Sequence, residues 1–171
     1  MIEAHQKIMI IDDDATVRSM VKIQLQSAGY EIVEAASGIE GLSKALSENP
    51  DLILLDYLMP EMDGGWVFHE LVSNPKYSAC KHIPVIIITA KESDHTSKTR
   101  FIEDGVSAYL QKPFGLQELL NVIENVFILH DVKLKNLQLQ TEIQQTKTYL
   151  ESVFDATPVG IITVDPHGII Q

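Results

Sequence analysis

Short apolar runs alternate along the chain with stretches in which apolar residues recur every three or four positions. Lys7–Asp12 is such a run and predicts a first strand. Thr16–Ala28 carries Val17, Met20, Val21, Leu25 and Ala28 at helical spacing, and Gly29 supplies the stop. A second strand is predicted over Glu31–Glu34 and a helix over Gly38–Ser47, with Ile39, Leu42, Ala45 and Leu46 on one face. Pro50 separates that helix from Leu52–Leu55, an unbroken apolar run of the kind buried on both faces. Trp66–Val72 reads as a third helix, and Pro84 introduces Val85–Thr89, a fourth strand. Ser93–Glu103 is a polar helical pattern, Ala108–Gln111 a fifth strand, and Leu116 opens a long helix.

Strands that alternate with helices predict an α/β fold with a doubly wound parallel sheet covered on both faces. Ligands bind such sheets at the C-terminal ends of their strands. Asp12 and Asp13 end the first predicted strand, Asp56 the third and Thr89 the fourth, while Lys112 follows the fifth. Residues scattered over a hundred positions of sequence are thereby expected along one sheet edge.

The run Asp12-Asp13-Asp14 presses three carboxylates against the end of a core strand. Unit charges about 4 Å apart repel by roughly 4 kcal/mol at an effective dielectric near 20, so a cation is expected nearby. Asp12, Asp13 and Asp56 form a hard-oxygen set suited to magnesium, and the backbone carbonyl of Leu58 adds a fourth candidate ligand. Magnesium held by few protein ligands commonly serves a phosphoryl group. Lys112 offers a positive charge, Thr89 a hydroxyl donor, and Ala90 leaves room beside it. Asp56, at the end of the central strand, is the candidate phosphoryl acceptor. Asp14 is assigned as the N-cap of the first helix.

Asp12-Asp13, Asp56 within LILLDYLMPEMDG, Thr89-Ala90 and Lys112-Pro113-Phe114 together resemble the signature of bacterial response-regulator receiver domains, over residues 5–128. The resemblance implies a flavodoxin-like sheet of order 2-1-3-4-5. It implies that Asp56 takes a phosphoryl group from a histidine kinase or phosphotransfer protein. Magnesium would be bound by Asp13, Asp56 and the Leu58 carbonyl, with Asp12 acting partly through water. Lys112 would contact the phosphoryl oxygens, Thr89 would turn inward toward them, and Tyr109 would follow into the vacated space. A cis bond between Lys112 and Pro113 is also implied. Leu58 and Lys91 would flank the path of attacking water and so influence the lifetime of the phosphoryl group. The switched face would be formed by the helix over 93–103, the strand over 108–111 and the helix from Leu116.

Two rivals remain open at the level of sequence. Asp12-x-Asp14-x-Thr16 also resembles the first motif of haloacid-dehalogenase-type phosphatases, with Asp12 as nucleophile and Asp14 as acid/base. That reading leaves Asp56 unexplained and finds only Glu118 and Glu124 for its later acidic pair. The second rival is a pseudo-receiver that binds partners without accepting a phosphoryl group.

The chain changes character after Leu129. Residues 130–150 contain no Gly or Pro. Leu139, Ile143, Thr146, Leu150 and Val153 follow a coiled-coil spacing, and Phe127, His130, Leu134 and Leu137 follow the same spacing in a shifted register, so a phase break is expected near residue 138. Residues 150–171 resemble the start of a PAS sensor domain, with a strand over Gly160–Val164 and a turn at Asp165–Gly168. The expected organisation is a receiver domain over 1–129, a helical linker over 130–153 that pairs two chains, and a truncated PAS start over 154–171, the whole being a piece of a larger regulator.

Composition narrows the partners. Lys and Arg total 13 against 24 Asp and Glu, a formal net charge of −11, which argues against a nucleic-acid or anionic-membrane surface in this stretch. No apolar run approaches the roughly 20 residues of a membrane span, and no signal peptide is expected. With Cys80 as the single cysteine no intrachain disulfide forms, and a cytoplasmic location is expected. Cys80 is read as a bystander in a polar loop between Lys76 and Lys81. The six histidines show no paired metal-ligand spacing.

Overall fold

A computed structural model of the chain describes residues 6–89 and 105–156. Five strands, β1 (Lys7–Ile11), β2 (Glu31–Ala35), β3 (Leu52–Asp56), β4 (Val85–Thr89) and β5 (Ala108–Gln111), pair in parallel in the order β2-β1-β3-β4-β5. The described helices are α1 (Ala15–Ser27), α2 (Gly38–Glu48), α3 (Gly64–Ser73) and α4 (Leu116–Ala156), with a 3-10 turn at Pro75–Cys80. This is the expected flavodoxin-like fold. The helix expected over 93–103, Ala90, Lys91 and the PAS-like segment from residue 157 lie outside the described residues.

The pleat explains why the central strands are apolar at every position. Met9, Ile11, Ile53, Leu55 and Ile87 point to one face, where Leu42 and Ala45 of α2 and Val67 and Leu71 of α3 cover them. Their neighbours Ile8, Ile10, Leu54 and Ile86 point to the other, beneath Val21 and Leu25 of α1 and Leu119 and Ile123 of α4. A strand buried on both faces has no use for polar alternation. Asp56, one step beyond Leu55, is where the β3 run first becomes polar.

Local signals hold the helices in place. Asp14 caps α1, its carboxylate accepting the N–H groups of Thr16 at 2.7 Å and Val17 at 3.3 Å. Ser37 caps α2, and Glu40 reaches back to the Ala36 N–H at 2.7 Å. Gly29 follows α1 at φ 94°, a conformation open to glycine without strain. Periodicity overstated two buried faces. Met20 is 46% exposed on α1, and Ile39 and Leu46 lie at 58% and 39% on α2, because only part of each apolar stripe meets the sheet.

Cys80 departs from the sequence reading. It closes the 3-10 turn and is buried with Tyr77 in the core over α3, and burial pushes its thiol pKa up, away from reactivity. Its polar neighbours in sequence face outward while the turn tucks the sulfur inward. The chain divides into two compact units, Met1–Ile128 and Leu129–Gln171. No helix among the described residues is long and apolar enough to cross a membrane.

Candidate functional site

The C-terminal edge of the sheet gathers the carboxylates. One oxygen from each of Asp12, Asp13 and Asp56 lies within 4.8 Å of the others, and Asp12 and Asp56 are buried while Asp13 is exposed. The juxtaposition follows from strand order, since β1 and β3 are register neighbours, with Ile11 opposite Leu55. Asp56 is 5% exposed and Asp12 2%. Lys112 spans the pair, its Nζ 2.7 Å from Asp56 Oδ1 and 3.0 Å from Asp12 Oδ2. The Lys112 N–H donates to Thr89 O at 2.7 Å, which prolongs the β4–β5 ladder by one residue and aims the lysine over the strand ends. The Lys112–Pro113 peptide bond is cis.

Opposing influences meet at Asp56. Burial raises its carboxyl pKa, the Lys112 ammonium works against that rise, and the charges of Asp12 and Asp13 add to it; the net direction is upward. Burial alone would lower the Lys112 pKa, but its hydrogen bonds to Asp56 and Asp12 outweigh burial and leave it raised. The ammonium therefore stays charged and partly neutralises a cluster that would otherwise repel itself. Hard oxygens converging on one point also fit a divalent cation of the magnesium type.

The loop after Asp56 is shaped by backbone constraints. Gly64 N–H donates to Tyr57 O at 2.9 Å. A Cβ on Gly64 would collide with the Asp56 carbonyl and the Tyr57 backbone, so only glycine permits this approach. Asp63 caps α3 through the Trp66 N–H at 2.7 Å. Glu61 sits at φ 68°, in the left-handed region, at the centre of a tight turn closed by Met62 N–H to Pro60 O at 2.8 Å.

The remaining candidates are placed as follows. Thr89 is buried at 4% exposure at the end of β4. It shares the sheet face of Ile87, whose register partner is Tyr109, so Thr89 and Tyr109 project to the same side. Tyr109 is 38% exposed. Leu58, whose backbone carbonyl is the candidate ligand, is 61% exposed. Asp14 is committed to the α1 cap, whose backbone N–H groups lower its pKa. A carboxyl held ionised in that way is a poor proton donor at neutral pH, which weighs against Asp14 as the general acid of a phosphatase.

Sequence reasoning missed three supports. Arg18 donates from Nη1 to Asp12 O at 2.7 Å and fixes the backbone under the first carboxylate. Asp12 Oδ1 accepts the Asp14 N–H at 2.8 Å, an Asx-type turn that orients the Asp12 side chain. The close approach of Gly64 was the third. Gly64 and Asp12-x-Asp14 carried readable signals; Arg18, one turn into α1, carried none.

Comparison with known proteins agrees with this geometry. The sequence model of the "Response regulator receiver domain" family matches residues 8–124. The chain is 36% identical over 121 residues to the "Probable transcriptional regulator ycf27" of Porphyridium aerugineum, covering 71% of this chain and 48% of that protein. It is 37% identical over 114 residues to the "DNA-binding dual master transcriptional regulator RpaA" of a Synechocystis species, covering 67% of this chain and 46% of that protein. The chain thus spans about half the length of these curated relatives. The crystal structure of the chemotaxis protein CheY4 of Vibrio cholerae aligns with a TM-score of 0.65 at 32% identity, over 72% of this chain and 99% of that one. A structure of a putative response regulator from Chloroflexus aurantiacus aligns with a TM-score of 0.64 at 35% identity, over 71% and 97%. Fold, carboxylate cluster and family match lead to one conclusion: the chain belongs to the response-regulator receiver-domain family.

Proposed function

We propose that Asp56 is the phosphoryl acceptor of a signalling switch. The observation that carries this reading is the placement of a buried carboxylate at the end of the central strand, 2.7 Å from Lys112, with the oxygens of Asp12 and Asp13 beside it. In the step itself an Asp56 carboxylate oxygen bonds to phosphorus as the bond from phosphorus to its donor breaks, giving an aspartyl phosphate. The donor is a phosphohistidine of a histidine kinase or phosphotransfer protein. Asp13, Asp56 and the Leu58 carbonyl would hold magnesium, with Asp12 acting partly through water, and the ion would supply charge neutralisation for the phosphoryl oxygens. Lys112 leaves its carboxylate partners to contact those oxygens, and the Thr89 hydroxyl and Ala90 complete the contact.

Thr89 and Tyr109 then act as the switch pair and change the face formed by the 93–103 segment, β5 and α4. The chain's organisation is a receiver over 1–129, a helical linker over 130–153 and the truncated start of a PAS domain over 154–171. The linker joins two copies as a homodimer and carries the signal to a downstream module. The protein works in the cytoplasm, without nucleic-acid or membrane contact in this stretch, and is a switch rather than a turnover enzyme. The acidic composition and the family of the receiver support these assignments.

The test is intact-mass spectrometry after incubation with magnesium and acetyl phosphate, on the wild-type chain and Asp56→Asn in parallel. One labile phosphoryl adduct is expected, lost in the variant and lost without magnesium. Phosphate release at an undiminished rate by Asp56→Asn would overturn the reading in favour of a phosphatase. A folded chain that forms neither the adduct nor a beryllofluoride complex would be a pseudo-receiver.

A further inference from the structure

We infer that residues 129–153 form one strand of a parallel, in-register two-stranded coiled coil with a second copy of this chain, oriented by an Asn136 layer and by Glu142–Lys147 pairs. This inference rests on the homodimer reading above and adds its geometry.

In this arrangement a single frame runs through residue 138, in place of the phase break expected there. Phe127, which opened the upstream register, is 9% exposed and packs in the core beside Val126, with its ring stacked on Tyr30 at 6.3 Å. Phe127 belongs to the sheet-facing surface of α4, while Leu134 and Leu137 of the same stripe are 40% and 51% exposed. With Phe127 assigned to the core, the downstream register can be followed upstream without interruption. Leu129, Asn136, Ile143 and Leu150 repeat every seven residues as a positions. Val132, Leu139, Thr146 and Val153 repeat as d positions in the same frame. α4 is one helix throughout this span. The apolar members of the seam are uncovered, with Leu129 at 66%, Val132 at 51%, Leu139 at 55% and Ile143 at 67% exposure. Leu134 and Leu137 fall at f and b, outside the seam.

Three features select the occupant and its direction. A lone Asn at an a position meets its own counterpart only when two identical helices run parallel and in register; any shift places it against an apolar layer. In that arrangement each g residue faces the e residue five positions on in the other chain. Glu142 at g thereby meets Lys147 at e twice by symmetry, and Tyr149 at g meets Phe154 at e. Within its own helix Lys147 has only a loose contact with Glu151 at 3.9 Å, both side chains being more than 60% exposed, which leaves it able to turn. Antiparallel pairing would set e beside e and g beside g: Lys135 could then meet Glu142, but Asn136 would face an apolar d residue, and the e row of Lys133, Gln140, Lys147 and Phe154 contains no acid to meet its two lysines. Only the parallel arrangement combines the Asn136 layer with Glu142–Lys147 pairs, and it does so between identical chains, which identifies the partner as a second copy of this chain.

The test uses the full 171-residue chain. Sedimentation velocity of the wild type is expected to show a concentration-dependent dimer. Glu142→Lys turns two attractive contacts into two repulsive ones and is expected to raise the dimer dissociation constant by roughly tenfold, and adding Lys147→Glu to restore it. Under mild oxidation Leu139→Cys, facing itself across the seam, is expected to form a disulfide-linked dimer, and Gln138→Cys, on the outer face, to form none. A wild-type dimer in which Leu139→Cys fails to link to itself but links to Ile143→Cys overturns the parallel arrangement and leaves the homodimer standing. A chain that stays monomeric across the concentration range overturns both. Phosphoryl acceptance at Asp56 is read separately by mass and is untouched by either result.

Discussion

Helix α4 is two different objects joined end to end. In its first half Leu119 and Ile123 are fully buried and Val126 is 4% exposed, all against the sheet. In its second half Leu139, Ile143 and Leu150 have the same kind of side chain at the same kind of spacing and remain 48–67% exposed. Helix propensity and apolar periodicity do not distinguish the halves. The difference lies in what covers them: the first half is held by tertiary contacts, and the second presents an apolar seam without a cover among the described residues. Most helix stability in proteins comes from packing an apolar face, and among the described residues only the first half has that packing.

Substitutions in the two halves should separate these roles. The largest effect is expected from Ile123→Ala, which empties a fully buried site and should destabilise the receiver unit by about 3–4 kcal/mol. Urea unfolding followed by fluorescence of Trp66, the single tryptophan, reads that unit directly. Phe127→Leu keeps an apolar side chain but removes the ring stacked on Tyr30, and should cost about 1 kcal/mol in the same assay.

A smaller effect is expected from pH. Burial, reinforced by the Glu124 carboxylate, holds the Tyr30 hydroxyl pKa above its ordinary 10.0. An acid whose folded pKa exceeds its unfolded one contributes stability that is complete below 10.0 and is lost as pH rises through the folded value. Tyr30→Phe should remove that alkaline loss while leaving unfolding near pH 8 little changed; an unaltered alkaline slope would show that Tyr30 titrates without penalty. The smallest effect on receiver unfolding belongs to Ile143→Ala, within about 0.5 kcal/mol of wild type, even though it removes the same atoms as Ile123→Ala. A large shift in Trp66 unfolding for Ile143→Ala would erase the distinction between the halves.

The same contrast governs what the sequence disclosed. β4 and β5 occupy the residues their apolar runs predict, Val85–Thr89 and Ala108–Gln111, and α4 opens at Leu116 as expected. Asp14 caps α1 because a carboxylate ahead of a helix binds its free N–H groups wherever the helix sits. The 3-10 turn at Pro75–Cys80, the burial of Cys80 and the exposure of Met20 were not legible, since each depends on which side of a short segment faces the sheet. At the site, the residue types of Asp12, Asp13, Asp56 and Lys112 could be read as one cluster. Arg18 beneath Asp12 could not, because a helix residue that bonds to a backbone carbonyl leaves no pattern.

Sequence by itself determined the alternation of strands and helices, the caps, and the acidic character of the strand ends, because these depend on neighbours a few residues away and on side-chain type. Tertiary structure alone decided that Lys112 bridges Asp12 and Asp56 across a hundred residues of chain, and that Gly64 lies too close to the Asp56 carbonyl for any side chain. It also decided that Phe127 belongs to the core, with its ring stacked on Tyr30. Covering is a property of two surfaces, and one segment's sequence specifies only its own.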